Sequence, residues 1–244
     1  AWEKRIAREA PLFERLLAKA PDRSLLDLGC GSGEHVAWFA RQGARAVGLD
    51  LSEAMIESAK EHEASGEGRF VIGDALDPRA ALPEERSFGV ALCLGNMLPH
   101  VTTDDELQAF VRGARAMLVP GGRLLIQILN YARLLKDDVN LLPVNIRPGE
   151  EANERIVFLR LMARDGEEGV RFFPTTLTLD LENEDEPVSV HSTRRVALRA
   201  WSAATLTTAF EAENFRVTLF GDMQERPYDA EASHDLVLLA ERSA

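Results

Sequence analysis

Leu25-Leu26-Asp27-Leu28-Gly29-Cys30-Gly31-Ser32-Gly33 decides how this chain folds. Ser24 to Leu28 makes a short apolar strand that ends in glycines. Glu34 to Gln42 then reads as a helix, so the three glycines join a strand directly to a helix. Glycine permits the tight turn and lets a ligand approach the backbone with no Cβ in the way. Ala46-Val47-Gly48-Leu49-Asp50 follows as an apolar strand whose last residue is a carboxylate, 17 positions after Gly33. A carboxylate at the end of a second strand sits beside the first loop and can accept both hydroxyls of a ribose. Two nucleoside cofactors compete for that arrangement. A dinucleotide site expects G-x-G-x-x-G, whereas here the third glycine comes two positions after the second and Asp27 precedes the loop.

Working outward, the first 130 residues alternate between strand and helix patterns. Leu12, Phe13, Leu16 and Leu17 form an apolar stripe on a helix that Pro11 is expected to open. Strands are predicted over 24–28, 44–49, 69–72, 88–94 and 123–129. Ser52 is an N-cap for a helix with Met55, Ile56 and Ala59 on one face. Thr103 and Glu106 form a capping box opening a helix that Pro120-Gly121-Gly122 is expected to stop. Such alternation with short apolar strands implies a parallel sheet covered by helices on both faces. From Leu141 to Leu198 the pattern changes to strands separated by Gly, Asp and Pro turns; Leu177, Leu179 and Leu181 alternate with polar residues. Ser202 then caps another helix, and strands over 215–219 and 235–240 close the chain. The economical picture is one α/β domain over 1–244, with 141–198 as an inserted antiparallel lid.

The chain has 244 residues, 45% hydrophobic and 28% charged, which excludes a disordered or fibrous protein. Its net charge of −12 argues against phosphate neutralisation on nucleic acid and against an anionic membrane surface. No apolar run reaches the length of a membrane span. Cys30 and Cys93 are the only cysteines, without the spacing of a metal knuckle, and are read as reduced, buried thiols of a cytoplasmic protein. No metal site is predicted, and the oligomeric state is not readable.

The acidic-x-Gly-x-Gly-x-Gly loop from Asp27 to Gly33 resembles the first motif of class I methyltransferases, which bind S-adenosylmethionine. Gly73-Asp74-Ala75 resembles the place where that family's aspartate meets the adenine; an ordinary Gly-Asp turn is the other reading. Pro120-Gly121-Gly122-Arg123 before a strand is also typical of the class. Cys93-Leu94-Gly95-Asn96-Met97-Leu98-Pro99-His100, Asn130-Tyr131 and Leu219-Phe220-Gly221-Asp222-Met223 resemble stretches of glycine N-methyltransferase and its bacterial relatives. The resemblance spans nearly the whole chain but is faint outside these motifs. It implies a Rossmann-like, mostly parallel seven-stranded sheet and methyl transfer to a small-molecule acceptor. It implies cofactor contacts from Asp27, Gly29, Cys30, Gly31, Gly33, Asp50, Asp74, Ala75, Leu94, Gly95 and His100, with Leu51 and Met55 as apolar neighbours. Arg5 falls where the family has an arginine for the cofactor carboxylate, with Arg8 as a nearby substitute; a solvated helix face is the alternative for both. His35 reads as a pocket-edge contact or a solvent-facing residue. Asn96, Asn130 and Tyr131 are the candidate acceptor contacts, and His100 the candidate proton-transfer group. Arg147, Arg155 and Arg160 are candidate anchors for an anionic acceptor, with surface or paired arginines as the bland reading. Leu129 stands where glycine N-methyltransferase has the arginine that holds its substrate carboxylate, so glycine is not expected to be the acceptor. Two other classes stay open: a non-catalytic binder of S-adenosylmethionine or S-adenosylhomocysteine, and a nicotinamide oxidoreductase disfavoured by glycine spacing.

Overall fold

Asn130 and Ser202 are the points at which the chain leaves one compact unit and re-enters it. The computed structural model describes residues 2–85 and 87–243, and clusters into unit 1–130 with 202–244 and the inserted unit 131–201. The first unit runs α1 (Trp2–Lys19), β1 (Ser24–Leu28), α2 (Glu34–Arg41), β2 (Arg45–Asp50), α3 (Glu53–Ala64) and β3 (Arg69–Ile72). It continues with α4 (Pro78–Ala81), β4 (Phe88–Cys93), a 3-10 turn (Leu98–His100), α5 (Asp104–Met117) and β5 (Leu118–Leu129). The inserted unit holds α6 (Tyr131–Lys136), β6 (Asn145–Pro148), β7 (Glu154–Asp165), β8 (Gly169–Asp180), β9 (Val188–Thr193) and β10 (Val196–Arg199). The chain then completes the first unit with α7 (Ala203–Ala212), β11 (Phe215–Phe220) and β12 (Asp235–Arg242).

The seven strands of the first unit lie in the order β11-β12-β5-β4-β1-β2-β3. β12 runs antiparallel to both β5 and β11, and the other pairings are parallel. β1 and β4 are buried along their whole length, as their unbroken apolar runs require of strands covered on both faces. One core packs Leu12, Phe13, Leu16 and Leu17 of α1, with Val36 and Phe39 of α2, against Leu25, Val90, Leu92, Leu125 and Val237 of the sheet. The three predicted helix caps hold: Ser52 accepts from the Met55 amide, Thr103 and Glu106 close a reciprocal capping box, and Ser202 accepts from the Thr205 amide. In the inserted unit, β10-β8-β7-β6 form an antiparallel sheet, with β9 also pairing with β8.

Three local expectations are corrected. Pro11 does not open α1; it lies inside a helix that starts at Trp2. Its missing N–H removes one helical bond, a defect of about 3 kcal/mol for an interior proline. Four buried side chains just beyond it anchor the C-terminal half, and a polar network described below holds the N-terminal half. Pro120-Gly121-Gly122 does not stop α5, which ends at Met117. Those residues instead bulge within β5, because Leu118 pairs with Phe88 while Arg123 pairs with Val90. Met55 leaves the buried face of α3 to Ile56 and Ala59 and stands 41% exposed.

Phe13 is fully buried and meets Trp38, Phe39 and His35 at ring separations of 5.2–5.6 Å. Phe13→Ala is therefore expected to destabilise the protein by about 3–5 kcal/mol, read as a lower urea midpoint; a loss below about 1 kcal/mol would contradict this packing.

Candidate functional site

The strand order reverses between β1 and β4, since β2 and β3 extend the sheet one way and β5 the other. Open parallel sheets form a ligand crevice at the carboxyl ends of such a switch point. The glycine loop occupies that place. Of its glycines, Gly31 (φ +56°) has nothing within 4 Å of where a Cβ would stand, so its face is open to a ligand. Gly33 (φ +88°) instead gives room to the protein: a Cβ there would lie 2.5 Å from the Phe70 ring.

Four amides of this loop already have partners. The amides of Gly29 and Cys30 both donate to the Leu49 carbonyl, at 2.7 and 3.0 Å. Gly31 N–H donates to Asp50 Oδ2 at 2.9 Å, and Gly33 N–H to the Cys30 carbonyl at 3.1 Å. The amides of Gly29, Gly31 and Gly33 are thus engaged within the chain. At the start of α2, Ser32 donates to the Glu34 carboxylate at 2.7 Å, which places a negative charge where a helix would otherwise attract an anion. A pyrophosphate at the start of α2 would meet that charge.

Asp27, the last residue but one of β1, is 1% exposed, and its Oδ2 has no hydrogen-bond partner. Burial pushes its carboxyl up; His35 and Arg5 work against that rise, while Asp50 and Glu34 add to it. An unpaired buried carboxylate oxygen costs on the order of 1–3 kcal/mol or more, so it calls for a partner from outside the chain. Its nearest cation candidate is His35 Nδ1, 3.7 Å away. His35 is buried rather than solvent-facing, and its Nε2 lies 3.1 Å from Glu9 of α1. Arg5 donates to the other oxygen of Glu9 at 2.9 Å, and its guanidinium stands 5.0 Å from the Trp2 ring. Glu9 escaped the sequence reading; its spacing of four from Arg5 was the available signal.

Asp50 ends β2 with Oδ2 accepting from Gly31 and Oδ1 from Ser52 N–H at 2.8 Å. Each oxygen keeps lone-pair capacity for a further donor. Beside it, Leu51, Met55 and Ile72 are 68%, 41% and 51% exposed. Among the described residues these are the large apolar side chains that the first unit leaves exposed, and they cluster at one place on the sheet edge. Ile72 was also missed. Asp74 Oδ1 accepts from Leu76 N–H at 2.8 Å, so the ordinary Asx turn exists there, next to the half-buried Ala75. The Cys30 and Cys93 thiols are buried, and burial pushes both well up, so neither is a nucleophile.

Past β4, Leu94 is buried and Gly95 (φ +70°) opens onto free space. Gly95 N–H donates to Gln127 Oε1 at 3.1 Å, and Asn96 (φ +67°) accepts from Leu129 N–H at 3.0 Å. The Asn96 oxygen therefore braces its loop on β5. His100 is exposed at the end of the 3-10 turn. Asn130 is corrected more firmly. It is 1% exposed, donates to the carbonyls of Asp229, Ala230 and Ser233, and accepts from Tyr228 at 3.0 Å. That pins the loop before β12 and leaves the side chain fully committed. Tyr131 is buried at the start of α6. Asp235, opposite Leu129 across β5 and β12, is a further carboxylate at this edge. Burial pushes it up against the hydrogen bond from Gln127 and the charges of His234, Arg8 and Arg5.

A mostly parallel seven-stranded sheet with an antiparallel final hairpin, and a glycine loop at its switch point, is the class I methyltransferase fold. Residues 25–122 match the family described as Methyltransferase domain. A ubiquinone biosynthesis O-methyltransferase of Bradyrhizobium sp. (strain ORS 278) is 36% identical over 110 residues, 43% of this chain and 40% of that protein. A dTDP-4-amino-2,3,4,6-tetradeoxy-D-glucose N,N-dimethyltransferase of Saccharopolyspora spinosa is 35% identical over 126 residues, 52% of this chain and 47% of that protein. The match thus spans less than half the length of these curated relatives. Over nearly the full chain, the fold is similar to the CcbJ methyltransferase of Streptomyces caelestis, at TM-score 0.74 and 23% identity, covering 98% and 95% of the two chains.

Gly33→Ala is expected to destabilise by at least about 1 kcal/mol from left-handed strain, with added displacement of Phe70. Gly31→Ala meets no neighbour, so denaturant unfolding should show the smaller loss; equal losses would contradict the division of roles.

Proposed function

We propose that this chain is an S-adenosylmethionine-dependent methyltransferase acting on a nitrogen or oxygen of a small molecule. The observation that carries the reading is the buried, unpaired Oδ2 of Asp27, four residues before Gly31, whose Cβ position is open, in a loop where four amides already have partners. Such a place suits a cation and repels a phosphate, which separates this cofactor from a nicotinamide dinucleotide. Asp27 would take the ammonium, with Arg5 on α1 the candidate for the carboxylate of the same methionine end. Asp50 would hold the ribose hydroxyls. Leu51, Met55 and Ile72 would cover the adenine, with Asp74 and Ala75 at its edge. Leu94, Gly95 and His100 would border the sulfur side. Cys30, Gly33 and His35 act behind this surface, shaping the loop and charging Asp27.

The cofactor supplies a methyl on a positively charged sulfur, ready for in-line displacement. The chain has to align the acceptor and exclude water. Both curated relatives named above methylate small molecules, one at oxygen and one at nitrogen, which supports the same acceptor class here. His100 remains the candidate for moving a proton. The insertion, 141–198, is assigned the lid role on its length and its place between Asn130 and Ser202. Arg155 and Arg160 already donate to backbone carbonyls of their own unit, and Arg147 stands over Phe158, so they are poor anchors for an anion. A cytoplasmic location fits the two buried thiols. A non-catalytic cofactor binder is the alternative, and transfer of labelled methyl separates the two.

Asp50→Ala is expected to weaken S-adenosylmethionine binding by about 1–3 kcal/mol, measured calorimetrically. Unchanged affinity, or tight binding of a nicotinamide dinucleotide, would overturn the cofactor assignment. The glycine N-methyltransferase-like branch is proposed for architecture only, because its substrate chemistry does not fit. Leu129 offers no guanidinium fork, and Asp235 stands opposite it. A carboxylate acceptor would lose a pair of hydrogen bonds worth about 1.5–3 kcal/mol each. Incubation with glycine or sarcosine should give turnover well below ~1 s⁻¹; faster methylation would show that Leu129 does not decide the acceptor.

A further inference from the structure

Glu9, His35 and Asp27 form a buried chain of contacts from α1 to the unpartnered oxygen of Asp27. Glu9 is 3% exposed. Burial opposes its charge, yet the His35 hydrogen bond and the Arg5 guanidinium hold its carboxyl below the usual range. An ionised carboxylate only accepts, so His35 Nε2 must be the donor across their 3.1 Å contact. That fixes the other nitrogen. His35 Nδ1 faces Asp27 Oδ2 at 3.7 Å, and that oxygen has no hydrogen-bond partner. A bare Nδ1 lone pair facing a bare carboxylate oxygen would be repulsive in a buried site. One proton therefore belongs to the pair, either on Nδ1 facing a carboxylate or on Oδ2 facing a neutral imidazole.

The groups around the pair are few and defined. On α1, Glu9 holds the His35 ring at Nε2 and Arg5 favours the Asp27 anion; on the other side, Asp50 of β2 and Glu34 of α2 disfavour that anion. The Trp2 and Phe13 rings stand edge-on to His35 at 4.9 and 5.6 Å and keep water from it. A second cation arriving at Oδ2 takes over the role of the proton and makes it redundant.

Resting on the cofactor reading above, we propose that Glu9 and His35 are positioning residues that make cofactor binding proton-linked. When an ammonium occupies the place beside Asp27 Oδ2, the Nδ1–Oδ2 pair releases its proton to the solvent, the N–H or O–H bond breaking and its electron pair staying on the pair. The sign follows from linkage. Release of a proton on binding makes affinity rise with pH through the titration of the pair, by up to about tenfold per pH unit for one full proton.

The test is calorimetric titration of the intact chain with S-adenosylhomocysteine, which carries the same ammonium and cannot react. Titrations in phosphate and in Tris, whose ionisation enthalpies differ, yield the number of protons exchanged. The expected result is release of a substantial fraction of one proton, lost in His35→Asn together with the pH dependence of the affinity. Thermal melting reports whether that variant is folded; if it is not, Glu9→Gln, which keeps the shape and removes the charge, should reduce the release. Binding with no proton exchange overturns the proposal, as does release that either folded variant leaves unchanged. Absence of binding by the parent at every pH overturns the cofactor reading itself, and this inference with it.

Discussion

A carboxylate buried at the end of the central strand is the constraint around which the first unit is arranged. Asp27 sits between two neighbouring strands, out of water, with one oxygen unpaired. Desolvation alone would neutralise such a group. The chain answers with charge placed behind it. His35 comes from the first turns of α2, and Glu9 and Arg5 from α1. α1 must therefore continue past Pro11 toward its N-terminus, because the helix positions that bring charge to His35 and Asp27, Arg5 and Glu9, lie before the proline. The helical bond lost at Pro11 is the structural expense of putting a glutamate there.

This division of α1 also explains why half of it was illegible. Leu12 to Leu17 announce themselves by apolar spacing, and they are buried. Trp2 to Ala10 carry mostly charged and polar residues, which read as solvent-exposed, and a proline follows them. Helix formation there depends on tertiary contacts to His35, which no local pattern encodes. The same reasoning applies to Pro120-Gly121-Gly122. Local propensity says stop, but β4 pairs with the chain on both sides of these residues and carries the strand through a bulge. Where apolar runs or side-chain caps decide the matter, as in β1, β4, α3 and α5, sequence and structure agree within a residue or so.

At the site, position was legible and function of the atoms was not. The glycine loop and Asp50 fall where the spacing places them, at the switch point of the sheet. Spacing could not say which way the amides point. Gly29, Cys30 and Gly31 spend theirs on Leu49 and Asp50, which takes those three amides away from any ligand. Asn130 is the converse case. An asparagine just after β5 looks like a substrate contact, yet its four hydrogen bonds all go to the segment 228–233.

On the proposed function, the charges at this edge bear on the acceptor as well. Alternation along the strands puts Asp27, Gln127 and Asp235 on the same face of the sheet as the core that packs against α1. Glu34 and Asp50 add negative charge nearby, and Arg5 already pairs with Glu9. A field of this sign attracts the cationic methyl donor and relaxes once the sulfur becomes neutral. An anionic acceptor would meet the same field as repulsion, with Leu129 offering nothing to offset it. A neutral hydroxyl or an amine meets no such penalty. A protonated amine would even be drawn in, and must then lose a proton before its nitrogen can attack. The edge thus selects acceptors by the absence of negative charge, and an amine entering it as a cation brings the need for a proton acceptor that a neutral amine would not have.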